Sequence, residues 1–112
     1  MQINNVRYAM EWQLMRSAFP EFRAFSRPPQ FGWEGFLRGK RSGRLFGVML
    51  TSTESSYPAH RPKVFISPRF GGNWLGDGSL CIDGYLSPWN PGLDSFANTL
   101  LRVIEYMEIN NA

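Results

Sequence analysis

The chain reads as an α+β domain in which helices lie against one face of an antiparallel sheet. Three observations point there. Helically spaced residues open and close the sequence. Short β-prone runs, broken by glycine and proline turns, lie between them. The length of 112 residues suits one core, burying roughly two thirds of the unfolded surface, and is too short for two ordinary domains. No repeat, low-complexity tract or linker divides the chain, so residues 1–112 are expected to form a single domain. A hydrophobic fraction of 43% and an aromatic fraction of 15%, including Trp12, Trp33, Trp74 and Trp89, suit a folded chain and not a disordered one.

Asn4 or Asn5 can cap a first helix running to about Ala18, with Val6, Met10 and Leu14 on one face and Arg7 and Glu11 on another; Phe19-Pro20 stops it. A segment rich in proline and aromatics, Phe22 to Gln30, leads to GWEGFLR, then to the basic turn RGKRSGR from Arg38 to Arg44, then to RLFGVMLTST, which together read as a hairpin. SSYPAHRP is a proline-punctuated turn and KVFISP a further short strand, with Val64 and Ile66 on one face. From about Pro68 to Pro91 no periodicity holds. Asp94 or Ser95 then caps a second helix, with Phe96, Leu100, Ile104 and Met107 along one stripe and Asn98, Arg102 and Glu105 opposite. The expected order is an N-terminal helix, an antiparallel β-meander, a long loop and a C-terminal helix packed on the sheet.

Composition narrows the function classes. No apolar run approaches the ~20 residues that cross a bilayer, and the opening MQINNVRYAMEW lacks the layout of a secretory signal. No membrane association and a cytoplasmic location are therefore expected. One cysteine and one histidine cannot form an internal disulfide or the usual four-ligand zinc site, so no metal is expected. The net charge of +3 is concentrated in the Arg38–Arg44 turn, whose glycines are also what a turn needs. No nucleic-acid motif accompanies it, and no nucleic-acid partner is expected.

The long loop holds the one cysteine. Structureless stretches of this length in compact domains are usually functional or disordered, and Trp74, Leu75, Leu80, Ile82, Tyr85 and Trp89 argue against disorder. The loop is expected to pack onto the domain and to present Cys81 on a turn made by Gly76, Asp77 and Gly78. From the residues alone, Cys81 is open to two readings: a small apolar filler between Leu80 and Ile82, or a nucleophile paired with His60.

Spacing supplies a third. The segment YPAHRPKVFISPRFGGNWLGDGSLCIDGYLSPWNP resembles the ubiquitin-conjugating enzymes. That family carries a Tyr-Pro-x-x-x-Pro turn, a strand, a His-Pro-Asn tripeptide, a Gly-Ser-x-Cys-x-Asp run, and a tryptophan followed two residues later by proline. Here Asn73 stands eight residues before Cys81 and Trp89 eight after, as in the family, and Tyr57, Pro58, Pro62, Gly78, Ser79, Asp83 and Pro91 fall into place with them. The resemblance covers Tyr57 to Leu101 in detail and nearly the whole chain in element order.

The resemblance implies the fold of that family and a thioester chemistry. Cys81 would be the nucleophile that accepts a ubiquitin-like modifier from an adenylating (activating) enzyme and passes it to a lysine of a protein substrate, with no cofactor bound to this chain. A thiolate needs no triad for such an exchange. Asn73 would support the oxyanion through its carboxamide, and Asp83 would orient the incoming lysine. Arg7 and Arg16 of the first helix, with Pro58 and Pro91, would meet partners. The alternative is a catalytically silent relative that uses the same fold to bind a ubiquitin-like or other protein.

Three features depart from the family pattern. Gly71-Gly72 replaces His-Pro, which predicts a looser turn before Asn73. Ala59 stands where the family anchors RING-type ligases with a larger residue, and the chain stops one helix after the loop where typical members continue through two more. The expectation is a minimal form similar to the conjugating-enzyme-like proteins of bacterial modification systems.

Overall fold

The computed structural model describes residues 5–81 and 88–112. Helix α1 (Asn5–Ala18) leads into strands β1 (Arg23–Arg27), β2 (Gln30–Arg38), β3 (Leu45–Thr53) and β4 (Lys63–Ser67), and helix α2 (Phe96–Ile109) follows a long loop. The strands form one antiparallel sheet in the order β1-β2-β3-β4. An α+β domain with a helix at each end of a four-stranded meander is thus the architecture.

Pairing fixes which side chains share a face. Trp33 lies opposite Leu50 and Leu37 opposite Phe46 across β2 and β3, while Val48 faces Ile66 and Leu50 faces Val64 across β3 and β4. Because side chains alternate along a strand, this set forms the inner face, and Trp33, Phe46, Val48, Leu50, Val64 and Ile66 are all buried. Helix α2 closes over it. Its Phe96 ring sits 4.9 Å from Trp33, 4.8 Å from Tyr57 and 5.7 Å from Phe31, and Leu100, Val103, Tyr106 and Met107 continue the buried stripe. Each fully buried side chain of this kind stabilises by about 1.5–3 kcal/mol relative to exposure. Ser95 is the N-cap: its hydroxyl accepts from Asn98 N–H at 3.1 Å, and the Asn98 side chain accepts from Ser95 N–H at 2.9 Å, a reciprocal capping box.

Two expectations are corrected. Strand β1 falls inside the segment read from sequence as an irregular lead-in. It is an edge strand, RAFSR, ended by Pro28-Pro29, with Phe25 its one strong β-former, so its pattern was too weak to read. Helix α1 packs by the other face. Val6 is 79% exposed, and Met10 and Leu14 are exposed as well, whereas Glu11 and Met15 are buried and Tyr8 packs beside Phe31 and Trp33. The inward stripe Tyr8-Glu11-Met15 keeps helical spacing but carries a carboxylate in its middle. That charge steers a periodicity argument to the opposite side.

The buried carboxylate is fully bonded. Glu11 Oε1 accepts from Phe96 N–H, the first residue of α2, at 2.9 Å. Glu11 Oε2 accepts from Arg7 Nε at 2.9 Å and from the Tyr57 hydroxyl. The Arg7 guanidinium in turn donates to Tyr57 Oη at 3.2 Å, to the Asp94 carbonyl at 2.6 Å and to the Pro91 carbonyl. One ionic hub therefore ties α1, the β3–β4 turn and the start of α2. Placing a negative charge at a helix N-terminus also favours the helix dipole.

The Arg38–Arg44 segment is the β2–β3 turn. Gly39 N–H donates to the Arg44 carbonyl and Gly43 N–H to the Gly39 carbonyl; Gly43 has φ +69°, a left-handed conformation that glycine takes without strain. Among the described residues, no helix is long and apolar enough to cross a membrane.

Candidate active site

Residues 73–81 form a small two-stranded ribbon on the loop between β4 and α2. Gly78 N–H donates to the Leu75 carbonyl at 3.0 Å, closing a turn over Gly76 and Asp77, and Leu75 N–H donates to the Ser79 carbonyl at 2.8 Å. Trp74 bridges Leu80, and Cys81 N–H donates to the Asn73 carbonyl at 2.8 Å. Gly78, at φ +91°, is the left-handed residue that a three-residue hairpin turn requires. This register puts Asn73 directly opposite Cys81, and directly opposed residues project their side chains to the same face about 4.5–5.5 Å apart at Cβ. The eight-residue interval is what a ribbon with this turn and two pairs beyond it produces.

The tip is held by charge. Asp77 Oδ1 accepts from the amide and hydroxyl of Ser79, at 2.9 and 2.6 Å, and Asp77 Oδ2 from Lys63 Nζ of β4 at 2.6 Å. The hydrogen bond from Lys63, followed by those from Ser79, holds the Asp77 carboxyl well below the usual range. The ribbon is also fastened to the sheet: Leu80 is buried and its N–H donates to the Val64 carbonyl of β4 at 2.7 Å.

An aromatic strip supports the other side. Phe70 stands 5.9 Å from Phe46, 5.5 Å from Trp74 and 6.1 Å from Tyr106, and the Trp74 indole donates to the Phe70 carbonyl at 3.2 Å. Tyr106, on the buried stripe of α2, accepts a hydrogen bond from Asn73 N–H at 3.0 Å. The loose turn expected from Gly71-Gly72 is therefore pinned at its exit: Asn73 is held through its N–H by Tyr106 and through its carbonyl by Cys81.

Cys81 is a free, half-buried cysteine and Asn73 is exposed, an arrangement in which the carboxamide has room to turn toward a group on sulfur. Asp83 lies outside the described residues, as do Ile82 and Tyr85. His60 is exposed in the β3–β4 turn. Trp89 is half-buried; its indole donates to the Pro58 carbonyl at 2.7 Å, its ring lies 6.0 Å from Tyr57, and the Arg61 guanidinium sits over it. Pro58 is thereby tied to Trp89, and the Pro91 carbonyl to Arg7 of α1. Arg7 is turned into the fold, with its side chain 14% exposed, while Arg16 is exposed in the last turn of α1. Among the described residues, no cluster of three or more His, Cys, Asp or Glu could hold a metal ion.

One residue that builds this region, Tyr106, is not singled out by the sequence reading. Tyr106 carries a signal: it lies three residues after Val103 on the α2 stripe, and Gly72 marks a place where another group comes close. Comparison of the sequence with protein-family models and with curated proteins, and of the structure with solved structures, finds no match.

Proposed function

We propose that this chain is a minimal ubiquitin-conjugating-type transferase that carries a ubiquitin-like modifier as a thioester on Cys81. The observation that carries the reading is the opposition of Asn73 and Cys81 across the ribbon, joined by the 2.8 Å bond from Cys81 N–H to the Asn73 carbonyl, at the interval at which the family keeps its asparagine and cysteine.

In the loading step the Cys81 thiolate attacks the modifier's C-terminal carbonyl on an activating enzyme. A new C–S bond forms, the old one breaks, and the activating enzyme's sulfur leaves as thiolate, an exchange between similar bonds that needs no acid or base on this chain. ATP is consumed by the activating enzyme. In the discharge step a neutral lysine amine attacks the same carbonyl; a C–N bond forms, the C–S bond breaks, Cys81 departs as thiolate, and the surplus proton of the amine passes to solvent. Negative charge gathers on the carbonyl oxygen in between, and the Asn73 carboxamide N–H is the donor that meets it. Asp83 orients the amine. Arg16, Pro58 and Pro91 border the partner surface, whereas Arg7 holds the fold beneath it. A lone free thiol suits the reducing cytosol.

Incubation with a ubiquitin-like modifier, its adenylating enzyme and ATP tests the loading step. The expected result is an adduct on a non-reducing gel that disappears with thiol. Cys81→Ser should abolish it or convert it into a thiol-resistant oxyester. A thiol-sensitive adduct that persists in Cys81→Ser would refute the assignment.

A further inference from the structure

We infer that Tyr106 is a positioning residue for transfer from Cys81, acting through Asn73; the inference rests on the thioester-transfer reading above. Its hydroxyl accepts the Asn73 N–H at 3.0 Å, and its ring closes over Gly72, where a Cβ would lie 2.8 Å from Tyr106 Cε1 and 3.2 Å from the hydroxyl oxygen. Position 72 must therefore lack a side chain for the hydroxyl to reach the next amide. Gly72 and the tyrosine are two halves of one contact.

The contact matters because of what it fixes. Two glycines in succession leave the approach to Asn73 with more backbone freedom than any other pair of residues would. The direction of the Asn73 side chain depends on its own backbone, and that backbone is held on both sides: by Tyr106 at the N–H and by Cys81 at the carbonyl. Tyr106 is itself buried, on a helix packed against the sheet, with Phe70 beside its ring. The core thus lends its rigidity to the one residue of the turn that meets the oxyanion, and a donor held in advance stabilises more than a mobile one. Loading exchanges one C–S bond for another of similar energy and is the less demanding step, so loss of the hydroxyl should be felt chiefly in discharge.

Single-turnover discharge into free lysine, at matched loading, is compared for wild type, Tyr106→Phe, Asn73→Ala and the double variant, together with amide hydrogen exchange at Asn73. Tyr106→Phe keeps the ring and removes only the hydroxyl. It should load like wild type and discharge about tenfold more slowly, in line with one lost hydrogen bond, and exchange at the Asn73 amide should quicken about tenfold. The double variant should discharge no more slowly than Asn73→Ala alone. Wild-type discharge in Tyr106→Phe, unchanged Asn73 exchange, or a further tenfold loss in the double variant would each overturn the role while leaving the carrier reading intact. A wild-type protein that takes no thioester overturns that reading, and this role with it. Should Tyr106→Phe fail to fold, Gly72→Ala, which presses the ring away from the loop side, supports the same comparisons with the same outcomes.

Discussion

Cys81 and Asn73 divide the chemistry between a nucleophile and a donor, and each makes its own prediction. Half-buried at the end of a two-stranded ribbon, Cys81 should react with iodoacetamide in the native protein; labelling only after denaturation would instead mark a structural filler. Asn73→Ala should leave loading largely intact and slow discharge to lysine by roughly 10²-fold, the lower end of what a lost oxyanion donor costs. Single-turnover kinetics checks this, and equal discharge rates at matched loading would remove Asn73 from the mechanism. The interval from Asn73 to Cys81 is legible in the sequence, and the hairpin turned at Gly78 converts it into opposition; the hairpin itself is not legible there, because two short strands of mixed residues carry no clear alternation. Tyr106 was not legible, since nothing local links a helix residue to an amide 33 positions earlier; only the packed core does.

At the scale of elements, α1 is held by Met15 and Tyr8 together with a buried charge between them. Glu11 satisfies the first amide of α2, the Tyr57 hydroxyl and Arg7 at once. Glu11→Ala leaves those donors without their acceptor and should cost about 3–5 kcal/mol, the range for breaking a buried ionic pair; Glu11→Gln, which keeps an acceptor for Phe96 N–H, should cost less. Urea denaturation orders the two, and equal stability of Glu11→Ala and wild type would contradict the hub. Ser95→Ala, which removes the capping hydroxyl of α2, should cost about 1 kcal/mol in the same experiment. The second helix was readable because its cap and stripe agree with its packing. The first is harder to orient, since Val6, Met10 and Leu14 form the better apolar pattern while Tyr8, Glu11 and Met15 form the real contact. Strand β1 escaped because an edge strand needs little apolar patterning.

At the scale of the whole molecule, the order helix, meander, loop, helix was evident from periodicity and punctuation. How the parts lock together was not, because the locking residues, Glu11, Arg7 and Tyr57, are polar. Their coupling predicts an alkaline limit to stability. Burial first, and then the neighbouring Glu11 carboxylate, push the Tyr57 phenol well above its ordinary value of 10.0, with Arg7 opposing. An unfolded tyrosine releases its proton near 10 while the folded one retains it, so the unfolded state binds fewer protons above that pH and stability falls as pH rises past it. Tyr57→Phe should flatten that fall, measured by urea midpoints from pH 8 upward, and an unchanged slope would contradict it. The central claim is transfer by way of Cys81, and intact-mass analysis of the loaded protein mixed with free lysine tests it most directly. The account predicts that the Cys81 thioester mass disappears and a modifier–lysine amide appears, faster than the thioester decays in buffer alone. Decay at the same rate with and without lysine, or no thioester mass on the wild-type chain, would contradict it.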